Sequence, residues 1–263
     1  MQFAGKIALV TGGGGGIGAG IGEALVEKGA RVVLADIDLE RARKEAEALG
    51  ASASALRIDV TDEQSWAEVR KEIEGSIGPV DVLCNNAGIT AGPMPLEELP
   101  SELFARMLAI NVTGVFFGIK AFVPGMKVRK SGHIVNTSSL NGLLAHGPSG
   151  GYSASKFAVT GMTDALRQEL APYGIGVSTL YPGLTRSYMS LSDSTTAMLA
   201  EAPPEVRNAE MMDPVWLGRA VARAIESNAE HIITHPSAKP EVERRQKVLL
   251  AAFGEPAQPG YVG

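Results

Sequence analysis

The sequence predicts a single-domain α/β fold, built on a doubly wound parallel sheet of about seven strands with helices on both faces. Short β-branched and apolar runs alternate with longer runs of helical periodicity along most of the 263 residues. A glycine cluster at residues 12–16 follows the first apolar run directly. Alternating strands and helices pair the strands in parallel, because each crossover helix must bury its apolar stripe against the sheet. Functional residues are therefore expected just beyond the carboxyl ends of the strands.

The elements follow from local patterns. Residues 6–11 are β-branched and apolar, and the next helix ends at Gly29. The third helix is expected to be capped by Thr61 or Asp62. The second helix is amphipathic, and its expected solvent face carries Glu40, Arg41, Arg43 and Lys44. Strands are predicted at residues 6–11, 31–36, 56–60, 80–85, 133–138, 175–181 and 231–234. Helices are predicted at residues 17–28, 39–49, 62–77, 101–121, 152–170, 213–227 and 241–252.

Residues 184–212 break this alternation. They are rich in Ser, Thr, Met and Pro, and they are too numerous for an ordinary connection. Because they follow a strand end, we interpret them as a substrate lid rather than a passive surface excursion. Residues 254–263 form a loose Gly/Pro-containing tail, and residues 1–263 are taken as one domain.

Composition excludes several classes of function. The net charge of −5 and the lack of a dense Lys/Arg block argue against a nucleic-acid partner. The longest apolar stretch, residues 103–123, contains Arg106, Asn111 and Lys120, which argues against a membrane span. One cysteine, Cys84, excludes an intramolecular disulfide and is expected to be a buried thiol. The first ten residues lack the layout of a secretory signal, so a cytoplasmic protein is expected.

Residues 11–18 lie between a predicted strand and a predicted helix, where backbone N–H groups without a Cβ in their way can cradle a pyrophosphate. This context makes a glycine-rich turn a strong indication of a dinucleotide site. Asp36 ends the second strand, and its carboxylate can accept hydrogen bonds from both adenosine ribose hydroxyls. Since its neighbours Gly15 and Ile37 carry no cation, that carboxylate would repel the 2′-phosphate of NADP. NAD is the expected cofactor, with a surface aspartate as the alternative.

Tyr152 and Lys156 lie four residues apart at the start of a predicted helix and share one face. A nearby cation favours the phenolate, so the pair is a candidate acid/base. The pair alone proves little, because this spacing also arises by chance. Ser139 follows the preceding strand, where its hydroxyl can bind a reacting oxygen or act only as a turn or cap.

Three motifs occur in an order typical of one family. They are Thr11-Gly12 with Gly16-Ile17-Gly18, then Asn85-Asn86-Ala87-Gly88, then Tyr152-Ser153-Ala154-Ser155-Lys156. From about residue 5 to about residue 190, the chain resembles the short-chain dehydrogenase/reductase family. This resemblance implies a Rossmann fold and hydride transfer between a nicotinamide and a hydroxyl- or carbonyl-bearing small molecule.

The resemblance also implies individual roles. Tyr152 is the general acid/base, Ser139 orients the substrate oxygen, and Lys156 holds the nicotinamide ribose and lowers the tyrosine pKa. Asn111 would complete a tetrad by holding a water, which explains an amide that would otherwise be costly inside a buried helix.

The cofactor contacts expected from the resemblance and from the glycine turn run along the same edge. Asp59-Val60 would contact adenine and Pro182-Gly183 would flank the nicotinamide. Thr185 and Ser187, which stand where an aliphatic residue and a threonine are usual, would reach the carboxamide. The full set is Gly12, Gly16, Ile17, Gly18, Asp36, Asp59, Val60, Asn86, Gly88, Tyr152, Lys156, Pro182, Gly183, Thr185 and Ser187. No metal site is expected, since His231 and His235 on a strand would lie roughly 13 Å apart.

The expected reaction is oxidation of a secondary alcohol to a ketone with NAD, which is mostly oxidised in cells. After residues 231–236 the chain continues as a charged helix rather than the Asp-Gly-Gly tail of many relatives. This ending is more similar to that of relatives that oxidise bulky hydrophobic or aryl alcohols. The alternatives are an NADPH-dependent carbonyl or 3-oxoacyl reductase and a nucleotide-binding sensor or scaffold without turnover. A homo-oligomer, tetramer or dimer, is expected through helices 101–121 and 152–170.

Overall fold

The computed structural model describes residues 1–187 and 211–254. Its single sheet has seven parallel strands in the order β3-β2-β1-β4-β5-β6-β7, which confirms the predicted fold class. The strands are β1 (Ile7–Thr11), β2 (Arg31–Asp36), β3 (Ala53–Arg57), β4 (Val82–Asn85), β5 (His133–Thr137), β6 (Gly176–Tyr181) and β7 (His231–Ile233). The described helices are α1 (Gly16–Glu27), α2 (Leu39–Leu49), α3 (Glu63–Ser76), α4 (Ser101–Leu108), α5 (Gly114–Arg129), α6 (Gly150–Leu170), α7 (Pro214–Ser227) and α8 (Lys239–Ala251).

Two apolar layers hold the sheet between its helices. Along β1, Ala8 and Val10 pack on the face covered by α1, α2 and α7, whereas Ile7 and Leu9 pack on the face covered by α3, α5 and α6. Successive side chains on a strand point to opposite faces, so a strand buried on both faces is apolar at every position. This explains the continuous apolar runs in the sequence.

The strand order reverses at the centre of the sheet. β1 pairs with β2 on one side and with β4 on the other, so the connections from β1 and β4 leave in opposite directions. Such a switch point leaves a crevice beyond the carboxyl ends of the two strands. The glycine turn after Thr11 and the Asn85-Asn86 pair both lie there.

Two boundaries differ from the prediction. β3 spans Ala53–Arg57 rather than residues 56–60, because its partner β2 ends at Asp36, which pairs with Arg57. Ile58 and Val60 are buried beyond the strand, so their apolar character reflects burial rather than sheet pairing.

The helix predicted at residues 101–121 continues to Arg129, with a π-helical turn at Ala109–Thr113 between α4 and α5. Pro124 lies inside α5 without ending it. The carbonyl four residues earlier belongs to Lys120, which lies on the exposed side where water can replace the lost bond.

The helical stretch Ser101–Arg129 is long and apolar enough to cross a membrane by length and composition. It nevertheless carries Arg106 and Lys120, and Met107, Phe122 and Met126 are buried against the rest of the protein. These contacts are those of a core helix.

The predicted lid lies mostly outside the described residues. At its two described ends, Thr185 and Met212 form a parallel bridge, and the Arg186 side chain pairs with Asp213. Of the predicted tail, residues 255–263 also lie outside the described residues.

Candidate active site

The turn between β1 and α1 is shaped for close approach of another group. A Cβ added at Gly18 would lie 2.1 Å from the carbonyl oxygen of Gly12, so this helix start tolerates no side chain. Gly12 and Gly16 have positive φ angles of 67° and 52°, which glycine adopts without strain. The turn therefore presents bare backbone N–H groups at the start of α1, and it fits a dinucleotide pyrophosphate.

Thr11 hydrogen-bonds this turn to the loop after β4, a role that was not predicted from the sequence. Its hydroxyl accepts hydrogen bonds from the backbone N–H groups of Asn86 at 3.0 Å and Ala87 at 3.1 Å. The Asn86 side-chain amide donates to the Thr11 carbonyl oxygen at 3.0 Å. The threonine in the Thr11-Gly12 motif could have indicated this role, since a hydroxyl at a strand end can hydrogen-bond to a neighbouring loop.

Asp36 lies where the sequence placed it, at the carboxyl end of β2 beside the glycine turn. One carboxylate oxygen accepts the Gly14 N–H at 2.9 Å and the other accepts the Asp38 N–H at 3.0 Å. These bonds fix the carboxylate against the turn.

Arg41 corrects the sequence analysis. Its position on the expected solvent face of α2 and the absence of a cation among the neighbours of Asp36 suggested an uncompensated carboxylate. In the structure Arg41 lines the same cavity as Asp36, and its Nε lies 3.0 Å from Oδ2 of Asp38. The periodicity of α2 did not reveal this, because Arg41 is exposed as expected and also lies beside the glycine turn, where a Cβ on Gly14 would lie 2.9 Å from the Cβ of Arg41.

Asp59 and Val60 follow β3 and line a second cavity of about 410 Å³, together with Gly12, Asp36 and Gly88. The backbone N–H and hydroxyl of Thr61 both donate to Asp59, and these bonds lower the pKa of its carboxyl. Val60 is buried, and its carbonyl oxygen accepts the indole N–H of Trp66 at 3.1 Å. Arg106 and Ile89 also line this cavity and were not predicted.

Tyr152 and Lys156 meet on one face of α6, as their spacing predicts. The ammonium Nζ of Lys156 lies 5.6 Å from the centre of the Tyr152 ring and donates to the Thr137 carbonyl oxygen at 2.9 Å. Ser139, just after β5, lies close enough to the Tyr152 hydroxyl to lower its pKa. The phenol, the ammonium and the hydroxyl are thus close together, and Tyr152 and Lys156 line the same cavity.

The pKa of the tyrosine shifts in the direction opposite to the expected one. Burial raises the pKa of Tyr152 to about 12, while the hydrogen bond with Ser139 lowers it. Burial also lowers the pKa of Lys156 to about 8. In the protein alone the desolvation of the phenolate decides the direction of the shift, which the Tyr/Lys spacing could not indicate.

Asn111 lies in the π-helical turn, and its side-chain amide makes three hydrogen bonds. Its oxygen accepts the Ile89 N–H at 2.8 Å, and its nitrogen donates to the Ile89 carbonyl oxygen at 2.9 Å and to Ser155 Oγ at 3.0 Å. Both donors are therefore used, and the second lone pair of the oxygen can still accept a bond. Ser155 in turn donates to the Tyr152 carbonyl oxygen at 2.7 Å. Ser155 therefore links Asn111 to the start of α6, a connection that the sequence did not suggest.

The segment after β6 runs from the region of Ser139 back to the glycine turn. Leu140, next to Ser139, donates its N–H to the Pro182 carbonyl oxygen at 3.0 Å. The Thr185 hydroxyl donates to the Gly183 carbonyl oxygen at 3.1 Å. A Cβ on Gly16 would lie 2.5 Å from the Cβ of Ser187, so this segment returns to the glycine turn.

One cavity of about 220 Å³ joins both groups of predicted residues. Its lining includes Gly12, Ile17, Asp36, Asn86, Gly88, Tyr152, Lys156, Pro182 and Ser187. Asn111, Ser139, Gly16, Gly18, Gly183 and Thr185 lie around this lining, and Asp59 and Val60 border the second cavity. Within residues 1–187 and 211–254, no cluster of three or more His, Cys, Asp or Glu side chains is arranged to hold a metal ion.

The short chain dehydrogenase family model matches residues 6–197. The chain belongs to the short-chain dehydrogenase/reductase family. Over 189 residues, or 72% of each chain, it is 40% identical to a 3-alpha-(or 20-beta)-hydroxysteroid dehydrogenase of Mycobacterium bovis. It is 29% identical to a C alpha-dehydrogenase of a Sphingobium species, over 95% of this chain and 87% of the relative.

A short-chain dehydrogenase/reductase of Burkholderia phymatum, solved in complex with NAD, superposes with a TM-score of 0.87 at 28% identity. The match covers 98% of this chain and 99% of that one. Members of the short-chain dehydrogenase/reductase family are oxidoreductases that use a nicotinamide cofactor and act on small molecules. This chain is therefore an oxidoreductase of that family.

Proposed function

We propose that this protein is an NAD-dependent dehydrogenase that oxidises a hydrophobic secondary alcohol to a ketone. The observation that carries the proposal is the single cavity of about 220 Å³, which touches Asp36 at one end and Tyr152 and Lys156 at the other. The cavity connects a carboxylate that can bind the adenosine ribose with a candidate acid/base pair, and glycines line the part between them.

Each group of residues has a part in this proposal. The glycine turn binds the pyrophosphate through its backbone N–H groups, and Lys156 holds the nicotinamide ribose. The nicotinamide, when bound, takes up a hydride from the alcohol carbon. Tyr152 receives the alcohol proton, Ser139 orients the alcohol oxygen, and Asn111 holds a water next to Lys156.

The proposed substrate is hydrophobic, and the chain directly before Tyr152 is packed among apolar side chains at Gly150 and Gly151. A Cβ on Gly150 would lie 2.7 Å from Leu96, and one on Gly151 would lie 2.5 Å from Leu99 and 3.3 Å from Met107. The relatives named for hydroxysteroid and C alpha oxidation support the same substrate class, aryl alcohols included.

The choice of NAD rests on the charge beside the adenosine ribose. The Asp36 carboxylate is held against the glycine turn and would repel a 2′-phosphate. Arg41 favours the second candidate, an NADPH-dependent carbonyl reductase, because its guanidinium lines the same cavity. Its ion pair with Asp38 compensates part of that charge, which is why we place NAD first.

A coenzyme comparison tests the proposal. Formation of NADH and of NADPH is followed by absorbance against a panel of secondary alcohols, steroids, sugars and aryl carbinols. We expect NAD⁺ to be preferred, and Asp36→Asn to reduce that preference by about tenfold or more because the like-charge repulsion is removed.

Arg41→Ala is the matched control, since it removes the cation from the same cavity and should leave the NAD⁺ preference intact. A wild-type preference for NADPH that Arg41→Ala abolishes would establish the reductase instead. Dinucleotide binding without turnover on the whole panel would favour the sensor or scaffold.

A further inference from the structure

His235 lies behind the Pro182–Gly183 turn, two residues beyond β7. The Gly183 N–H donates to His235 Nδ1 at 3.0 Å. A Cβ on Gly183 would lie 2.6 Å from Cγ of the imidazole, so ring and backbone are in direct contact. The ring thus supports the turn from the side opposite the cavity.

The same turn is fixed from its other side by the strand end that carries Ser139. Leu140 donates to the Pro182 carbonyl oxygen at 3.0 Å, and Pro182 itself is buried and lines the cavity. Pro182 and Gly183 are therefore held between His235 and the segment that bears a catalytic candidate.

The hydrogen bond requires a particular form of the imidazole. Nδ1 must accept, so in the neutral ring the proton is on Nε2. Burial lowers the pKa of His235, which favours this neutral form, and a backbone hydrogen bond with Leu184 opposes the shift. The Thr234 hydroxyl, 2.8 Å from Nδ1, is the neighbouring polar group.

We propose that His235 is a positioning residue, whose Nδ1 holds the Gly183 N–H and so fixes the backbone that walls the nicotinamide end of the cavity. The inference rests on the proposed function, because Pro182–Gly183 can flank a nicotinamide only if the cavity binds that cofactor. Without the acceptor, the Gly183 N–H loses its partner, and the turn moves to find another.

The test uses three variants of the full chain. His235→Phe keeps ring volume against Gly183 and removes the acceptor, whereas His235→Asn restores an acceptor near Nδ1. His231→Phe makes the same substitution four residues away, at an exposed position of β7. The Kd of NADH by fluorescence titration, kcat and KM, and Tm are measured for each.

We expect His235→Phe to bind NADH about tenfold more weakly, His235→Asn to stay within about threefold of the wild type, and His231→Phe to match it. The weaker NADH binding of His235→Phe should persist at temperatures well below the Tm of this variant. Wild-type affinity in His235→Phe, equal losses in Phe and Asn variants, or a lowered Tm with unchanged Kd would each overturn the proposal.

The outcome is separable from that of the proposed function. If the wild type prefers NADPH, the titrations are made with NADPH, and the Asp36 argument fails while the His235 ratios still decide this inference. If the wild type binds neither dinucleotide, both are overturned.

Discussion

Tyr152 is partly buried where it lines the cavity, and burial raises its pKa to about 12 in the protein alone, so the phenolate is scarce at neutral pH. Alcohol oxidation needs the phenolate to receive a proton, so the rate should rise with pH by up to about tenfold per unit. Lys156, with a pKa of about 8, loses the charge that favours the phenolate above that pH, so the rise should flatten there. Ketone reduction, in which the phenol donates, should stay constant over the same range, because the phenol remains protonated there.

The measurement is the pH profile of kcat in both directions. An oxidation rate that is constant or falls between about pH 6 and about pH 8 would contradict the assignment of Tyr152 as the base. The same profile for His231→Phe, which leaves the site untouched, is the control.

At the scale of the elements, β5 and β6 share a buried histidine that should make the fold sensitive to acid. His133 Nε2 lies 2.9 Å from Ser178 Oγ, and burial lowers the pKa of His133 to about 3. The unfolded chain, in which the pKa returns to about 6.5, binds the proton more readily. Stability is therefore complete above about pH 6.5 and is lost as pH falls toward the folded pKa.

Urea unfolding at about pH 7 and about pH 5 measures this effect. We expect the wild type to lose about 2 kcal/mol more than His133→Asn over that interval, because only the wild type carries the titrating imidazole at this position. The carboxylates are common to both proteins and cancel in the comparison. Equal losses would show that His133 is not held neutral.

The alternation of elements could be predicted from the sequence because strands buried on both faces are apolar at every position and glycine ends several elements. The end of β3 could not be predicted from the sequence, since it depends on where its partner strand β2 ends. The continuation of α5 past Pro124 depends on which side of the helix faces water. The π-helical turn at Ala109–Thr113 had no signal in the sequence beyond the buried Asn111.

At the scale of the whole molecule, the site joins the ends of strands that are far apart in the sequence. The strand end after the glycine turn predicted the position of Asp36, and the spacing and family motif of Tyr152 and Lys156 predicted that these two side chains meet. These patterns did not reveal Arg41 or His235, which reach the site through packing between elements. The raised tyrosine pKa also depends on burial, which is a property of the assembled fold.

Two apolar side chains of α5 are exposed on the outer surface. Phe116 and Val128 on α5 are 49% and 85% exposed, whereas Phe122 and Met126 on the same helix are buried in the core. We expect a dimer or tetramer of the 27.5 kDa chain, with this helix in an interface. Light scattering should give two or four times the chain mass, and Phe116→Glu should lower it. A wild-type monomer at micromolar concentration would contradict the expectation.

The measurement that tests the central claim most directly compares turnover and cofactor binding in Tyr152→Phe. This change removes one hydroxyl and keeps the ring beside Lys156. With NAD⁺ and a secondary alcohol that the wild type oxidises, turnover should fall by about 10²–10⁴ while the Kd of NADH stays within about threefold. Turnover that survives in Tyr152→Phe would contradict the account.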